Sequence, residues 1–415
     1  MRISSISPRA VAQSARIIPK RHLSTSPVLR RAFEDGDYVL LRDKKDASSD
    51  GTLIKLRAAK ITVTHRGKIQ HDDIIGSQKR QIVNSSKGTA YRIHEPTLAE
   101  YVRLTPRIVT PIYPSDANLI VSLLDIHVDT CGTPDAGKAP FEILEAGTGH
   151  GALTLHLSRA IHAANLPLPQ IPHYADTQEP EDAVYLGESL SDLREASLDS
   201  WKQSRCAVVH TLDIARKHSK HAEKVVRGFR NGVYARNVDF HVGDVSEWIA
   251  SQKVLRQSDG PFLSHVFLDL PSADRHIDNV ASALHVDGFL AVFNPSITQI
   301  TECVEKIREE KLPYLLDQVV ELGAGTIRQW DVRAVRPRMT VKTSVDVGSE
   351  VGSASGTSTD AVEGQVARDN ELAGEPASKP EKWAMVCRPK VGEMVIGGGF
   401  LALWRRMEQA PKTAS

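Results

Sequence analysis

Four acidic residues have the type and spacing expected of a shared binding site. Glu145, Asp213, Asp244 and Asp269 each stand at the end of a short, mostly apolar run that predicts a β-strand. In an open α/β sheet, ligands bind at the edge formed by the carboxyl ends of the parallel strands. One such acid alone is more often a solvated side chain than a ligand. Four at this spacing favour a common site.

A glycine-rich turn follows the first acid. Gly147, Gly149 and Gly151 lie between an apolar run and a helical pattern that begins at Ala152. Glycine permits positive φ and a close backbone approach to a ligand, and a helix N-terminus presents free N–H groups. The spacing E-x-G-x-G-x-G differs from the G-x-G-x-x-G that binds a pyrophosphate. It suits an uncharged sugar with an amino-acid tail, as in S-adenosylmethionine.

Each acid can be assigned a task on such a cofactor. Glu145 would lie near the methionine ammonium, Asp213 would accept from the ribose hydroxyls, and Asp244 would accept from the adenine amino group. Asp269, two residues before Pro271, would face the substrate and is the expected catalytic residue. The residues expected to bind the cofactor are Glu145, Gly147, Thr148, Gly149, Gly151, Ala152, Asp213 and Asp244.

Composition narrows the class of protein. A chain of 415 residues with 41% hydrophobic content can bury the cores of two domains. Its 52 Lys and Arg nearly balance 51 Asp and Glu, so no global field indicates nucleic acid, although a local basic face is compatible with this balance. The four cysteines are far apart, which argues against a zinc knuckle or a disulfide framework and favours a reducing compartment. We expect no metal site, and no apolar run approaches the roughly 20 residues that span a membrane.

The N-terminal residues 1–32 have the composition of a mitochondrial presequence. They contain seven Arg and Lys residues, and the first acid is Glu34. The tetrapeptide Arg21–Ser24 resembles a processing site, which predicts a location in the mitochondrial matrix. The alternative is a basic, disordered arm that contacts RNA.

Two domains are predicted after this segment. Short alternating runs over residues 33–95 predict a small β-barrel-like domain. Over residues 96–415, strands alternate with helices, which predicts an α/β, Rossmann-like fold: a parallel sheet with an antiparallel hairpin at its edge. Residues 165–200 are expected to be an insertion. Residues 341–380 are rich in Ser, Gly, Glu and Asp and are expected to be a disordered loop.

The motifs together resemble one family. Thr64–Gly76, Pro96–Tyr101, Glu145–Thr154 and Leu268–Pro271 are similar to segments of the catalytic subunit of tRNA (adenine-N1)-methyltransferases. The resemblance implies a class I S-adenosylmethionine-dependent methyltransferase with a small N-terminal β domain. It also implies methylation of N1 of adenine at position 58 in the tRNA T-loop, in a homo- or heteromeric tetramer, here in a mitochondrial form.

The substrate half departs from the family pattern. The family usually continues Asp-Leu-Pro-x-Pro-Trp, whereas this chain has Ser272-Ala273-Asp274, and Thr110 replaces the usual Gln. The alternative function is therefore a non-catalytic RNA-binding or assembly subunit that keeps the fold. The intact glycine turn favours the enzyme. The cations expected to contact RNA, which could equally form a solvated face, are Arg66, Lys68, Lys79, Arg80 and Arg92.

Overall fold

The computed structural model describes residues 31–45, 51–129, 139–166, 198–323, 328–335, 383–389 and 398–408. Nearly all of the expected presequence, most of the insertion at 165–200 and the whole loop at 341–380 lie outside these residues. The chain forms two compact units, which comprise residues 1–104 and 105–415. None of the helices in the described ranges is long and apolar enough to cross a membrane.

The first unit is a small β domain. A four-stranded antiparallel sheet has the order β2-β1-β6-β5, and β3 and β4 form a separate hairpin. Alternate residues along β1 point inward, so that Val39 and Leu41 are buried against residues of the neighbouring strands. The strands are β1 (Tyr38–Asp43), β2 (Thr52–Lys55), β3 (Ile61–Thr64), β4 (Gly67–Gln70), β5 (Ile82–Asn84) and β6 (Ala90–His94).

Helix α1 (Leu98–Leu104) completes this unit. Thr97 and Glu100 cap its first turn reciprocally, because the Glu100 N–H donates to Thr97 Oγ1 (3.2 Å) and the Thr97 N–H donates to Glu100 Oε2 (2.8 Å). Tyr101 packs edge-on against Tyr38 of β1, with ring centroids 5.1 Å apart. The first compact unit therefore extends past residue 95, where we placed the end of the β domain.

The second unit is a mixed α/β structure with one large sheet, which confirms the predicted fold class. Nine strands have the order β14-β13-β12-β15-β11-β10-β7-β8-β9. The five strands from β11 to β9 in this order are parallel. The strands are β7 (Phe141–Ala146), β8 (Ala207–Asp213), β9 (Val238–Val242), β10 (Leu263–Leu268), β11 (Leu284–Asn294), β12 (Tyr314–Leu322), β13 (Arg328–Val335), β14 (Ala384–Pro389) and β15 (Gly399–Arg406).

Helices connect the parallel strands and place their carboxyl ends along one edge. The glycine turn joins β7 directly to α3, as the sequence predicted. Helices in the described part of this unit include α2 (Pro114–Leu123), α3 (Ala152–Ala160), α4 (Arg216–Gly228), α5 (Val245–Arg256), α6 (Ile277–Ala283) and α7 (Ile297–Glu309).

The antiparallel hairpin expected at the edge of the sheet is present, and the last strand lies apart from it. β13 and β14 do pair antiparallel at the edge of the sheet. However, β15 lies inside the sheet, antiparallel to both β11 and β12. Five of its eight residues are buried, and Trp404 is among the largest fully buried residues that the structure describes. The apolar content of β15 thus reflects an interior strand.

A buried ionic network fixes the opposite end of the central strands. Glu142 on β7 accepts two hydrogen bonds from Arg256 of α5, at 2.8 and 2.6 Å, and one contact of 2.9 Å with His210 of β8. Burial by itself would raise the pKa of Glu142, but these hydrogen bonds lower it overall. The network joins β7, β8 and α5. Glu145 lies near the end of β7, Asp213 ends β8, and Asp244 directly precedes α5.

The cysteines give a correction. Cys303 and Cys387 carry free thiols, whereas Cys206 is disulfide-bonded. A single bridge at Cys206 is not a disulfide framework. It does contradict the use of cysteine spacing as evidence for a reducing compartment.

Candidate functional site

A cavity of about 400 Å³ lies at the carboxyl ends of the parallel strands. Five of the nine predicted site residues line it, and they come from the turn after β7 and from the ends of β8, β9 and β10. They are Gly147, Gly149, Asp213, Asp244 and Asp269.

A smaller cavity of about 20 Å³ shares Gly147, Gly149 and Asp269 with the large one. Glu145, Thr148 and Ala152 line this smaller space. The remaining predicted residue, Gly151, lines neither cavity. An added Cβ there would lie 3.1 Å from Ala222 Cβ of α4. Gly151 therefore allows α3 and α4 to pack closely, and the expectation that it contacts a cofactor is not supported by its position.

The first two glycines have different tasks. Gly147 has φ +96°, and a Cβ added to it would overlap the carbonyl oxygen of Asp269. This glycine lets the end of β10 lie against the turn after β7. Gly149 has φ +51°, and its nearest neighbour for an added Cβ is Val109 Cγ2 at 3.4 Å. The backbone of Gly149 is therefore the part of the turn that is open to a ligand.

Asp213 is tied to the glycine turn by its carboxylate. Its Oδ2 accepts the N–H of Gly149 at 3.1 Å, and its Oδ1 accepts the N–H of Ala215 at 2.8 Å. His218 Nδ1 lies 3.5 Å from Oδ1, and its ring also lines the cavity. Since both oxygens keep further lone pairs, this buried carboxylate can also accept hydroxyl groups of a ligand.

Asp244 caps the N-terminus of α5. Its Oδ1 accepts the N–H groups of Ser246 (2.8 Å) and Glu247 (3.2 Å). Its Oδ2 lies 3.7 Å from His276 Nε2 and faces the cavity. One oxygen thus stabilises the helix, and the other is available to a ligand.

Glu145 is fully buried among threonines. Its Oε2 accepts the hydroxyl groups of Thr154 (2.6 Å) and Thr211 (2.9 Å), and Thr211 in turn bonds Thr148 (2.8 Å). Burial raises the pKa of Glu145 to about 7, and the charge of Asp269 adds to this rise, although the threonine hydrogen bonds oppose it. This carboxylate would be stabilised by a cation.

Asp269 is mostly buried, and its carboxylate lacks a protein partner. Within the described part of the chain, no group donates a hydrogen bond to it. Burial raises the pKa of Asp269 to about 7, and the neighbouring charge of Asp213 contributes to the rise. A buried carboxyl group that faces a cavity without a partner is a strong candidate for contact with a ligand.

Several residues of the site were not predicted. Ile214, directly after Asp213, is 79% exposed and forms an apolar wall with Leu212 and Val245. The position of Ile214 directly after a strand-end acid can be read from the sequence, but its exposure cannot. No comparable signal marks Val109 or His276, which reach the cavity from distant parts of the chain.

The cations predicted to contact RNA in the β domain are partly neutralised. Arg66 forms an ion pair with Asp43, and Lys79 Nζ lies 2.8 Å from Glu95. Lys68, Arg80 and Arg92 have no acidic partner among the residues that the structure describes. In the same residues, no cluster of His, Cys, Asp and Glu is arranged to hold a metal ion.

Comparisons with known proteins point to methyltransferases. A family model described as "tRNA methyltransferase complex GCD14 subunit" matches residues 205–391, and a model described as "TrmI-like N-terminal" matches residues 32–83. The chain is 29% identical over 296 residues to the tRNA (adenine(58)-N(1))-methyltransferase TrmI of Thermus thermophilus, covering 71% of this chain and 88% of the relative.

Two further proteins are similar. The tRNA (adenine(57)-N(1)/adenine(58)-N(1))-methyltransferase TrmI of Methanocaldococcus jannaschii is 26% identical over 229 residues, which are 55% of this chain and 67% of the relative. Among solved structures, a SAM-dependent O-methyltransferase from Thermotoga maritima superposes with a TM-score of 0.52 at 19% identity, covering 92% of this chain and 97% of that one. This last similarity concerns the fold.

The raised pKa of Asp269 predicts how the stability of the folded protein depends on pH. The folded protein keeps the Asp269 carboxyl group protonated up to about pH 7, whereas the unfolded chain releases this proton near pH 4. Burial of Asp269 therefore lowers the free energy of unfolding increasingly as the pH rises from about 4 to about 7. Asp269→Asn should therefore raise the free energy of unfolding by about 2–3 kcal/mol more at pH 8 than at pH 5. Urea denaturation at the two pH values measures this difference. Asp259→Asn, at an exposed position, is the control, and an equal effect of Asp269→Asn at both pH values would contradict the prediction.

Proposed function

We propose that the chain is a member of the tRNA (adenine-N1)-methyltransferase family that includes TrmI and GCD14, and that it methylates N1 of an adenine in tRNA, at T-loop position 58, with S-adenosylmethionine as the methyl donor. The observation that carries this proposal is the convergence of Gly149, Asp213, Asp244 and Asp269 on one cavity of suitable size.

The cavity fits such a cofactor chemically. Glu145, beside the glycine turn, suits the ammonium group of the cofactor, and Asp213 can accept hydrogen bonds from the ribose hydroxyls. Ile214 and Val245 supply an apolar wall for the adenine ring. The backbone of Gly149 can approach the ligand because no side chain intervenes. When bound, the cofactor supplies an electrophilic methyl group.

Asp269 is assigned to the reacting base. The target adenine must leave the base stack before its N1 is accessible, at a cost of a few kcal/mol. N1 already has a lone pair and needs no strong base, so alignment contributes most of the rate. The Asp269 carboxylate, which has no protein partner, would accept from the exocyclic amine, orient the base and stabilise the positive charge that develops on it.

The altered segment after Asp269 still forms an ordered turn. Ala273–His276 is a short 3-10 helix, and Ala273 is buried beside α6. Leu270 and Pro271 line the large cavity. The loss of Pro and Trp from the family pattern is therefore compatible with a formed site. This supports the enzyme over the non-catalytic assembly subunit, which remains the alternative outcome of the activity test below.

Helix α4 offers a surface for the RNA backbone in the second unit. Five exposed cations lie on one face of this helix, within about 100° of arc and over about 16 Å of its length. The acid on this face, Glu223, pairs with Arg227 at 2.9 Å. The chain as a whole is nearly neutral, so this face is a local concentration of positive charge. The five cations are Arg216, Lys217, Lys220, Lys224 and Arg227.

We also propose that the protein is located in mitochondria and that it forms an oligomer. The basic, acid-free composition of residues 1–32 supports mitochondrial import. A fluorescent fusion of the full chain should enter mitochondria, and a fusion lacking residues 1–32 should not. Cytosolic fluorescence of the full-length fusion would contradict the location. The family resemblance supports a tetramer, which light scattering of the purified protein tests.

The two strand-end acids should separate cofactor binding from methyl transfer. Asp213→Ala should raise the dissociation constant of the cofactor about tenfold or more, because a hydrogen bond to a charged group contributes about 1.5–3 kcal/mol. Asp269→Ala should change that constant little and slow single-turnover methylation of a tRNA transcript by about 10²–10³. Asp259→Asn serves as the control for both measurements. Methylation by Asp269→Ala at the parent rate would refute the assigned role, and a parent protein that binds cofactor but methylates no tRNA would favour the non-catalytic subunit.

The α4 face should determine how RNA affinity depends on salt. The double variant Lys220→Ala/Lys224→Ala should weaken tRNA binding and reduce the slope of log affinity against log salt by about 1.5, since each lost phosphate contact reduces that slope by about 0.7–0.9. The matched variant Lys220→Arg/Lys224→Arg keeps the charge and should preserve the slope. Fluorescence anisotropy between 50 and 200 mM salt, chosen as roughly the range where such slopes are measured, provides the test. An unchanged slope in the alanine variant would exclude α4 as a phosphate-binding surface.

A further inference from the structure

His276 reaches the cavity wall beside Asp244 but has no assigned task. It ends the 3-10 turn Ala273–His276, directly before α6. Its side chain is 15% exposed and lines the large cavity. Its Nδ1 lies 2.9 Å from Ser246 Oγ, in the first turn of α5. The ring is therefore held from behind, and its second nitrogen is directed toward Asp244 and the cavity.

The hydrogen bonds of Ser246 favour the tautomer of His276 that carries its proton at Nε2. Asn279 Nδ2 donates to Ser246 Oγ at 3.0 Å, which occupies a lone pair of the hydroxyl oxygen. The hydroxyl hydrogen is then free to be donated to His276 Nδ1. A neutral imidazole that accepts at Nδ1 carries its hydrogen at Nε2. His276 thus presents an N–H donor at the wall of the cavity.

The Nε2–H group of His276 lies beside an oxygen of Asp244 that is also available to a ligand. His276 Nε2 lies 3.7 Å from Asp244 Oδ2, a distance that is too long for a direct hydrogen bond. Asp244 Oδ1 is occupied by the N–H groups of Ser246 and Glu247, so Oδ2 is the oxygen that a ligand can use. Side by side, an acceptor and a donor complement the edge of adenine, where an amino group stands beside a ring nitrogen with a lone pair.

We propose that His276 is a specificity-determining residue that donates from Nε2 to a ring nitrogen of the cofactor's adenine, while Asp244 accepts from the adjacent amino group. This inference rests on the proposed function, because it concerns the adenine of the same cofactor. It adds His276 to the site and gives Ser246 and Asn279 the task of fixing its tautomer.

The test compares three ligands by calorimetry: S-adenosylhomocysteine and its 1-deaza and 7-deaza analogues, each of which replaces one ring nitrogen beside the amino group with C–H. The parent protein should bind one of the two analogues about tenfold more weakly than S-adenosylhomocysteine, because the His276 donor is then left without an acceptor. His276→Leu should bind that analogue and S-adenosylhomocysteine equally. A His276→Leu variant that keeps the preference of the parent protein would overturn the proposal, as would a parent protein that binds all three ligands equally.

Two further variants separate recognition from a structural effect. Ser246→Ala leaves His276 in place but no longer fixes its tautomer, so the tenfold preference should fall while the protein stays folded by circular dichroism. His218→Leu, on the Asp213 side of the cavity, should lower the affinity for all three ligands by the same factor. Loss of the preference in His218→Leu would show a general disturbance of the cavity and contradict the role of His276. Failure of the parent protein to bind S-adenosylhomocysteine at all would instead refute the proposed function.

Discussion

The close approach of the turn after β7 to the end of β10 is the constraint on which the site depends. Only a residue without a Cβ fits at Gly147, because the carbonyl oxygen of Asp269 occupies that space. The Asp269 N–H also donates to Ala146 O at 2.8 Å, so the two strand ends are joined by a hydrogen bond as well as by contact. This contact places the Asp269 carboxyl group over the same cavity as the backbone of Gly149.

The same closeness brings acids together at an energetic cost. Glu145 and Asp269 are buried, their pKa values are raised to about 7, and part of each rise comes from a neighbouring carboxylate. A positively charged group of a ligand beside Glu145 would offset the desolvation of that carboxylate. The burial of Glu145 therefore favours a cationic group at this part of the site, which is the chemistry of the ammonium group of S-adenosylmethionine.

Several residues of the site combine a structural with a binding task. Asp213 holds the N–H of Gly149, and Asp244 caps α5, yet each keeps an oxygen or lone pair directed at the cavity. Because the same carboxylates bond the backbone and face the cavity, the glycine turn, β8 and α5 must keep their relative positions. The buried network of Glu142 with Arg256 and His210 fixes the same elements from the other end of the strands.

The sequence by itself determined the elements and the acids of the site, because hydrophobic periodicity and strand-end residues are local signals. It predicted the alternation of strands with helices and four acids at one edge, since parallel strands necessarily present their carboxyl ends together. The tertiary structure alone decided which side chains meet across long separations in the chain. The interior position of β15, the packing of Gly151 on Ala222, and the donor that His276 places beside Asp244 all arise from neighbours that no local pattern specifies.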